Sequence, residues 1–422
     1  MTDRIHDLIG IGFGPSNLAL AIALRERQSP LDALFLEAQP AFAWHPGMMI
    51  PGADMQVSFL KDLVSLRDPT SGFSFLSYLH EKGRLERFIN RKSFFPSRVE
   101  FNDYLGWAAG RLGNICAYDQ RVTEVQPVEQ GGSVTHLRIM AEDARGRRSL
   151  RLARQIVLAP GGQPHWPELF APLRGLPGLS HSNDFTRAVL PHVRPGQRVA
   201  IIGGGQSASE IFAALSCHPA NLSVDLILRG HALKPADDSP FVNEVFDIAH
   251  TDILHRMEPA RRDSFLRDFA ATNYAVTDAD LLLQIYGLLY EQDVAGESRF
   301  ALWRDTRAAA VQHGPDGFAL TLQGPDGRQD RAYDHVILCT GYRRELETTC
   351  LRGLLPWMQS PEPDRQYRLP MRPGFLPVIH VQGYSEATHG LSDTLLSVLA
   401  IRAQEIATSA ESLRRGLLMA AE

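Results

Sequence analysis

A chain of 422 residues is too long for one small hydrophobic core and calls for two or three domains. Its 44% hydrophobic and 22% charged residues are those of a soluble globular protein, and a net charge of −5 argues against nucleic acid as a partner. Cys116, Cys217, Cys339 and Cys350 lie far apart with no CxxC pair, which speaks against a disulfide framework, a zinc or other metal site, or a dithiol redox centre, and leaves each as a small buried hydrophobe. The opening MTDRIHD carries no signal-peptide pattern, and no uncharged run reaches the roughly 20 apolar residues of a membrane span, so a cytoplasmic protein without a membrane partner is expected.

In chain order, Leu8, Ile9 and Ile11 read as a strand, Gly10, Gly12 and Gly14 as a turn, and Leu18, Leu20, Ile22 and Leu24 among alanines as a helix. Strand, glycine turn and helix open a dinucleotide-binding βαβ unit. Its glycines let backbone approach a pyrophosphate, and its helix start offers free N–H groups. Pro15 suits the first helical turn, though it stands where the usual fingerprint has its third glycine. ALFLEAQ is the next strand and ends on Glu37, an acid placed for the two hydroxyls of an adenosine ribose. Taken alone, the motif is also an ordinary glycine turn.

The stretch after Glu37 is dense in Trp, Met, Phe and Pro, and composition alone makes it a lid packed on the core sooner than the wall of a planar cofactor. Helices are expected from Phe73 to Leu79 and from Val99 to Leu112, and strands at RVTEVQPV and VTHLRIMAE about a QGGS turn. RQIVLAPGG reads as a strand returning to the first sheet before a crossover. RVAIIGGGQSASEIFAAL then repeats the opening layout, with Gly203, Gly205 and Ala208 at GxGxxA spacing, and LSVDLILRG supplies a strand ending at Arg229. An acid at the strand tip selects an unphosphorylated ribose and an arginine accommodates a 2′-phosphate, so the pair reads as FAD first and NADPH second. Arg261 to about Gln292 reads as one helical insertion. DHVILCTGYRR reads as a strand bringing the chain back to the flavin domain. HGLSDTLLSVLAIRAQEIATSAESL reads as a long terminal helix with Ser392 or Asp393 as its cap.

These motifs are enough for a resemblance. Over nearly its whole length the chain resembles the flavin-dependent N-hydroxylating monooxygenases of siderophore biosynthesis, and within them the ornithine N5-hydroxylating branch, kin of the lysine N6 branch. The marks are GIGFGPSNLALA, WHPGMMIPGADMQVSFLKDLVSLRDPTS, FPSRVEFNDYL, GGGQSASE, DDSPFVNEVF, TNYAV and HGLSDTLLSVLA; Val57 is a departure, where relatives often have isoleucine. The resemblance implies an α/β architecture of two dinucleotide-binding (Rossmann-like) domains. The FAD domain (1–165 and 333–422) is split around an NADPH domain (166–332), and a mainly helical substrate-binding region is inserted at about 235–300.

The resemblance also implies residue roles. FAD would be held by Gly10, Gly12, Gly14, Pro15, Ser16, Asn17, Glu37, Trp44 and His45, with Gln56 near the flavin ring, Val122 beside the adenine end, and Thr394, Leu395 and Leu396 lining the flavin. NADPH would be held by Gly203, Gly204, Gly205, Gln206, Ser207 and Arg229. Lys61, Asn243 and Ser397 would bind substrate, and Asn273 would lie between substrate and nicotinamide, which makes Gln56 and Asn273 the catalytic candidates. Outside that context Lys61 would be a solvated charge, Asn243 and Asn273 turn or capping residues, Ser397 a helical serine and His45 a core histidine.

The implied reaction uses NADPH to reduce FAD, O2 to form a C4a-hydroperoxide, and the side-chain amine of L-ornithine as the acceptor of the distal oxygen. L-lysine, putrescine or cadaverine are the alternative amines, and a homotetramer is the implied assembly. Three rivals stand beside this reading. A disulfide reductase needs a cysteine pair that is missing. A Baeyer–Villiger or flavin-containing monooxygenase has a linker signature of which GLSHSNDF is a degraded version. A non-hydroxylating FAD/NADPH redox protein would reduce flavin without an amine-dependent product.

Overall fold

The structure is a computed structural model that describes residues 4–419. Its first sheet is built on β1 (Ile5–Ile11), whose Leu8, Ile9 and Ile11 are buried, as a parallel strand covered on both faces requires. Helix Pro15–Glu26 follows, with Gly14 at the N-cap and every side chain from Asn17 to Leu24 buried. β2 (Ala33–Leu36) and the short β3 (Cys116–Ala117) extend the sheet in parallel on one side of β1. β4 (Arg121–Gln130), β5 (Ser133–Glu142) and β6 (Arg148–Leu158) form an antiparallel meander whose last strand lies parallel to β1 on the other side. Between β2 and β3, helices Phe75–Glu81, Leu85–Arg91 and Arg98–Gly110 pack Phe75, Tyr78, Phe101 and Tyr104 against the Pro15 helix. Ser74 and Ser97 cap two of them by accepting from the N–H groups of Ser77 and Glu100, which is why the first starts at Phe75 rather than at Phe73.

The chain leaves this unit through β7 (Gln163–Pro164) and builds a second sheet from β8 (Leu179–His181), β9 (Arg198–Ile202), β10 (Ser223–Ile227) and β11 (Phe300–Trp303). β12 (Arg307–Gly314), β13 (Gly317–Gly324) and β14 (Gly327–Tyr333) form a separate antiparallel sheet, and β15 (His335–Leu338) then enters the second sheet. That sheet is all parallel, in the order β11-β10-β9-β15-β8. The expectation that the strand at 335–338 rejoins the flavin unit is therefore corrected: its hydrogen bonds go to β8 and β9. The chain crosses back afterwards, through β16 (Tyr342–Arg343), which pairs antiparallel with β7, and regains the first sheet at β17 (Val378–Val381) beside β6. The two connections between units are thus hydrogen-bonded to each other.

The crossover from β10 to β11 carries helices Pro240–Asn243, Ile248–Arg256, Pro259–Asp268 and Ala279–Ala295. The single helix expected from Arg261 to Gln292 is broken at 269–278. Within the break Ala275 takes a left-handed φ of +58°, which no helix interior accepts, where it packs against Gly205 of the second glycine turn. The terminal helix, Leu399–Met419, starts later than expected because residues 391–398 form two 3₁₀ turns instead. Neither Ser392 nor Asp393 caps it. Asp393 turns inward, and its Oδ1 accepts from Arg402 at 2.9 Å, a pair with both side chains fully buried. Leu399, Ala403, Ile406, Ala407 and Ala410 lay the terminal helix on the Pro15 helix. The cysteines are unbridged, and Cys217 is exposed, because it follows the last turn of its helix at the surface. Among the described residues no helix is long and apolar enough to cross a membrane.

Arg402 also donates to Ser16 Oγ at 3.2 Å, so it joins the terminal helix to the first glycine turn. Arg402→Ala would strand the Asp393 carboxylate in the core. A loss of about 3–5 kcal/mol is expected, read as a lower urea midpoint at unchanged slope.

Candidate active site

The first glycine turn contains glycines of two kinds. Gly12 has φ +83°, and a Cβ there would lie 2.5 Å from the Ala159 carbonyl oxygen; a Cβ on Gly10 would strike the Phe35 ring at 2.2 Å. Both are required by packing between strands and turn. Gly14 is different. Its φ is −72°, and nothing lies within 4 Å of a Cβ built on it, so the protein itself makes no demand for glycine there. The first bond of the helix ladder runs from Leu18 N–H to the Gly14 carbonyl, and among the described residues the N–H groups of Ser16 and Asn17 meet no carbonyl. Open space above unpaired donors at a helix start is what a pyrophosphate fits.

Glu37 follows β2 as expected, and its carboxylate is fixed by two backbone donors, Phe13 N–H at 2.7 Å and Gln39 N–H at 2.8 Å. Each oxygen keeps a lone pair for a ribose hydroxyl. Val122 is the second residue of β4, which begins directly after Gln120, whose N–H donates to the Glu37 carbonyl, so it stands at the same end. Asn17 departs from expectation. Its side chain is fully buried and faces the protein: Nδ2 donates to Gly12 O at 2.7 Å, and Oδ1 accepts from Gln382 at 2.9 Å. It holds the turn and leaves only its backbone N–H for a ligand.

The second turn repeats the scheme. Gly203 has φ +151° and packs on the Cys339 carbonyl, while Gly205 caps helix Gln206–Ser216, in which Ser207 occupies the first turn and Ala208 is buried. Arg229 lies exposed just past β10. Burial, and then the charges of Arg343 and Arg229, push the His165 imidazole down.

Near the two turns Trp44, His45, Tyr342 and His181 form a row of rings, with successive centroids 5.1, 6.3 and 5.4 Å apart. His45 sits at φ +45°, a strained conformation for a residue with a side chain. The residue is exposed at its outer edge, and crowding by protein, with Arg98 and Arg344 nearby, lowers its pKa to about 4, so it stays neutral near pH 7. Exposed Arg344 lies near both the His45 and the Tyr342 rings.

Residues 273–278 and 394–397 meet. Tyr274 donates to the Glu386 carboxylate and lies against Thr394. Val245 and Phe246, just after exposed Asn243, pack with Leu391 and Leu395; Ser397 is buried in the next turn and Leu396 is half-buried. Gln56 reaches across to Asp278 at 3.4 Å. Half-buried Lys61 is farther along the Gln56 loop, and that loop is made rigid by Asp62. The buried Asp62 carboxylate accepts from Val64, Ser65 and Phe75 N–H groups at 2.9, 2.6 and 2.7 Å, and burial raises its pKa against those bonds. The structure therefore brings the neighbours of Asn243 and of Asn273 against residues 391–395, just before Ser397, and ties Gln56 to Asp278; among the described residues it shows no contact of Lys61 with any of them. Among the described residues no cluster of His, Cys, Asp and Glu could hold a metal.

Two strand–glycine–helix turns in one chain, one followed by Glu37 and the other by Arg229, define the class: a flavoprotein oxidoreductase with a second, pyridine-nucleotide domain. The comparisons make it particular. The L-lysine 6-monooxygenase/L-ornithine 5-monooxygenase family matches residues 4–344, and the chain belongs to that family. It is 44% identical to the L-ornithine N(5)-monooxygenase of Pseudomonas aeruginosa, over 97% of this chain and 94% of that one. The solved ornithine hydroxylase from Pseudomonas aeruginosa superposes with a TM-score of 0.94 at 43% identity, covering 97% of this chain and 100% of that one. An ornithine N-hydroxylase of Kutzneria sp. 744, solved with reduced FAD, NADP+ and L-ornithine, gives 0.91 at 35% identity, with the same coverage.

Gly14 separates ligand approach from packing. Gly14→Val should purify soluble, with the melting temperature of the FAD-free wild type, but nearly colourless. Full yellow occupancy in absorbance would remove this turn from the FAD site.

Proposed function

We propose that the chain N-hydroxylates the side-chain amine of L-ornithine with FAD, NADPH and O2, toward a hydroxamate siderophore or a related natural product. The observation that carries this reading is the near-full-length likeness to ornithine hydroxylases in both sequence and structure. FAD, when bound and reduced by NADPH, supplies the oxygen-activating chemistry. The chain supplies orientation and dry surroundings. Gly10–Asn17 and Glu37 hold the adenine side of FAD, and Trp44, His45, Gln56 and Thr394–Leu396 wall the ring. Gly203–Ser207 and Arg229 hold NADPH, with Asn273 between nicotinamide and substrate.

Lys61 pairs with the α-carboxylate of ornithine, and Asn243 and Ser397 hydrogen-bond beside it. A lysine is a poor neighbour for the reacting amine and a good partner for the distal carboxylate, so Lys61 sets the reach that separates ornithine from the longer lysine. The reacting amine must be neutral, although a free alkylammonium has a pKa of about 10.4. Burial against Leu395 and Leu396 lowers it. NADPH is a cytoplasmic reductant, which supports a cytoplasmic location. A homo-oligomer is supported by Leu283, Tyr286, Tyr290 and Val294, four exposed apolar side chains along helix Ala279–Ala295.

Two measurements test this reading. Lys61→Ala should keep FAD and be reduced by NADPH, yet lose ornithine hydroxylation by about a hundredfold, since small misplacement of reacting atoms costs that much. Peroxide should rise correspondingly, and putrescine, which has no carboxylate, should be affected far less. Equal losses on both amines would take Lys61 off the carboxylate, and a wild type that prefers putrescine would make the enzyme a diamine hydroxylase. Separately, Arg229→Ala should raise the KM for NADPH about tenfold to a hundredfold, the equivalent of about 1.5–3 kcal/mol for a charge-assisted contact, with little change for NADH. Unchanged NADPH kinetics would remove Arg229 from the site.

A further inference from the structure

Gln56 lies in the loop after β2 of the first unit, and Gln206 opens the helix at the second glycine turn. Their side chains end on the same carboxylate. Asp278 precedes helix Ala279–Ala295 at its N-cap, where aspartate normally accepts from its own helix, yet its side chain makes no capping bond. Ser74, Ser97 and Glu258 do cap theirs. Asp278 Oδ2 instead accepts from Gln206 Nε2 at 2.9 Å and from Gln56 Nε2 at 3.4 Å, and Asp278 N–H donates to Gln206 Oε1 at 2.9 Å.

The remaining amide hydrogen of Gln206 goes to Glu210 Oε1 at 3.0 Å, so the Gln206 side chain is fully engaged by protein. Glu210 is itself gripped by Arg98 from the first unit, at 2.8 and 2.7 Å. Next to Asp278, buried Thr277 bonds Ser209 at 2.8 Å, and Ala275 lies 3.4 Å from a Cβ built on Gly205. The segment that carries Asn273 is therefore docked along the first turns of the Gln206 helix, and its last residue holds Gln56.

We propose that Asp278 is a positioning residue for hydride transfer, which ties the pyridine-nucleotide turn to Gln56 on the flavin side so that the two rings meet at a fixed separation. The inference rests on the reading of the two turns as FAD and NADPH sites, and not on the identity of the amine. Burial pushes the Asp278 carboxyl above the usual range, which accords with its enclosed place between the units.

The test is the anaerobic bleaching of bound flavin by NADPH, which needs no amine. Asp278→Ala should slow bleaching at saturating NADPH about tenfold, while the NADPH concentration for half-saturation changes less than about threefold. Asp278→Asn keeps an acceptor for both glutamines and should stay within about threefold of wild type. Wild-type bleaching in Asp278→Ala, or an Asp278→Asn variant as slow as Asp278→Ala, would each overturn the proposal. Hydroxylamine yield with ornithine, measured alongside, reports the proposed function independently: its absence in a wild type that bleaches normally sinks ornithine as substrate and leaves the tie standing.

Discussion

Arg98 and Glu210 make one bidentate ion pair between the two nucleotide-binding units, and their relative placement depends on it. The pair joins helix Arg98–Gly110 of the first unit to the Gln206 helix of the second, with side-chain exposures of only 13% and 5%. A buried pair of this kind adds little net stability against an apolar substitute, but breaking it leaves an unpaired charge in the interior. Its value is specificity of placement: the units cannot slide without separating two desolvated charges. The pairing of β7 with β16 and the seating of Met48, Ile50 and Ala53 in the core of the second unit act in the same direction. At Gly47 the chains approach so closely that no side chain would fit against the Asn183 carbonyl.

With the units locked, the polar groups of the interface divide into those spent on the protein and those left for ligands. Asn17, Gln206 and Asp393 look like ligand or capping residues by type and position, yet each has its side chain consumed internally. Gly10, Gly12 and Gly203 are glycine because a Cβ would collide with protein, whereas Gly14 has no such reason. Groups without an internal partner stand at the two glycine turns and the strand tips beside them: the first N–H groups of the Pro15 helix, the outer lone pairs of Glu37, and Arg229. This division is more informative than the motif, since a motif counts all its members alike.

Buried polar pairs recur wherever an irregular segment must be held. Asp62 gathers three backbone donors beneath the loop that carries Gln56 and Lys61, and Arg402 with Asp393 pins residues 394–397 against the first glycine turn. Such segments have no ladder of their own, so their backbone groups must find side-chain partners. The segments that carry Lys61 and Ser397 are therefore anchored to the scaffold by buried carboxylates.

The sequence by itself determined the two strand–glycine–helix units, their order, the acid and arginine at their strand tips, and the membership they imply. All of these are local: a φ above zero, a helix start and a strand tip are encoded within a few residues. It did not determine where β15 goes, that the helix expected at 261–292 breaks at Ala275, or that the terminal helix waits until Leu399. Those follow from strand pairing and from close packing between segments far apart in the chain. The partners of Arg98, Asp278 and Arg402 lie 112, 72 and 386 residues away at Glu210, Gln206 and Ser16. No periodicity or spacing relates such residues, because only the folded units bring them within hydrogen-bond distance, and there the cost of leaving a buried charge or amide unpaired selects which ones meet.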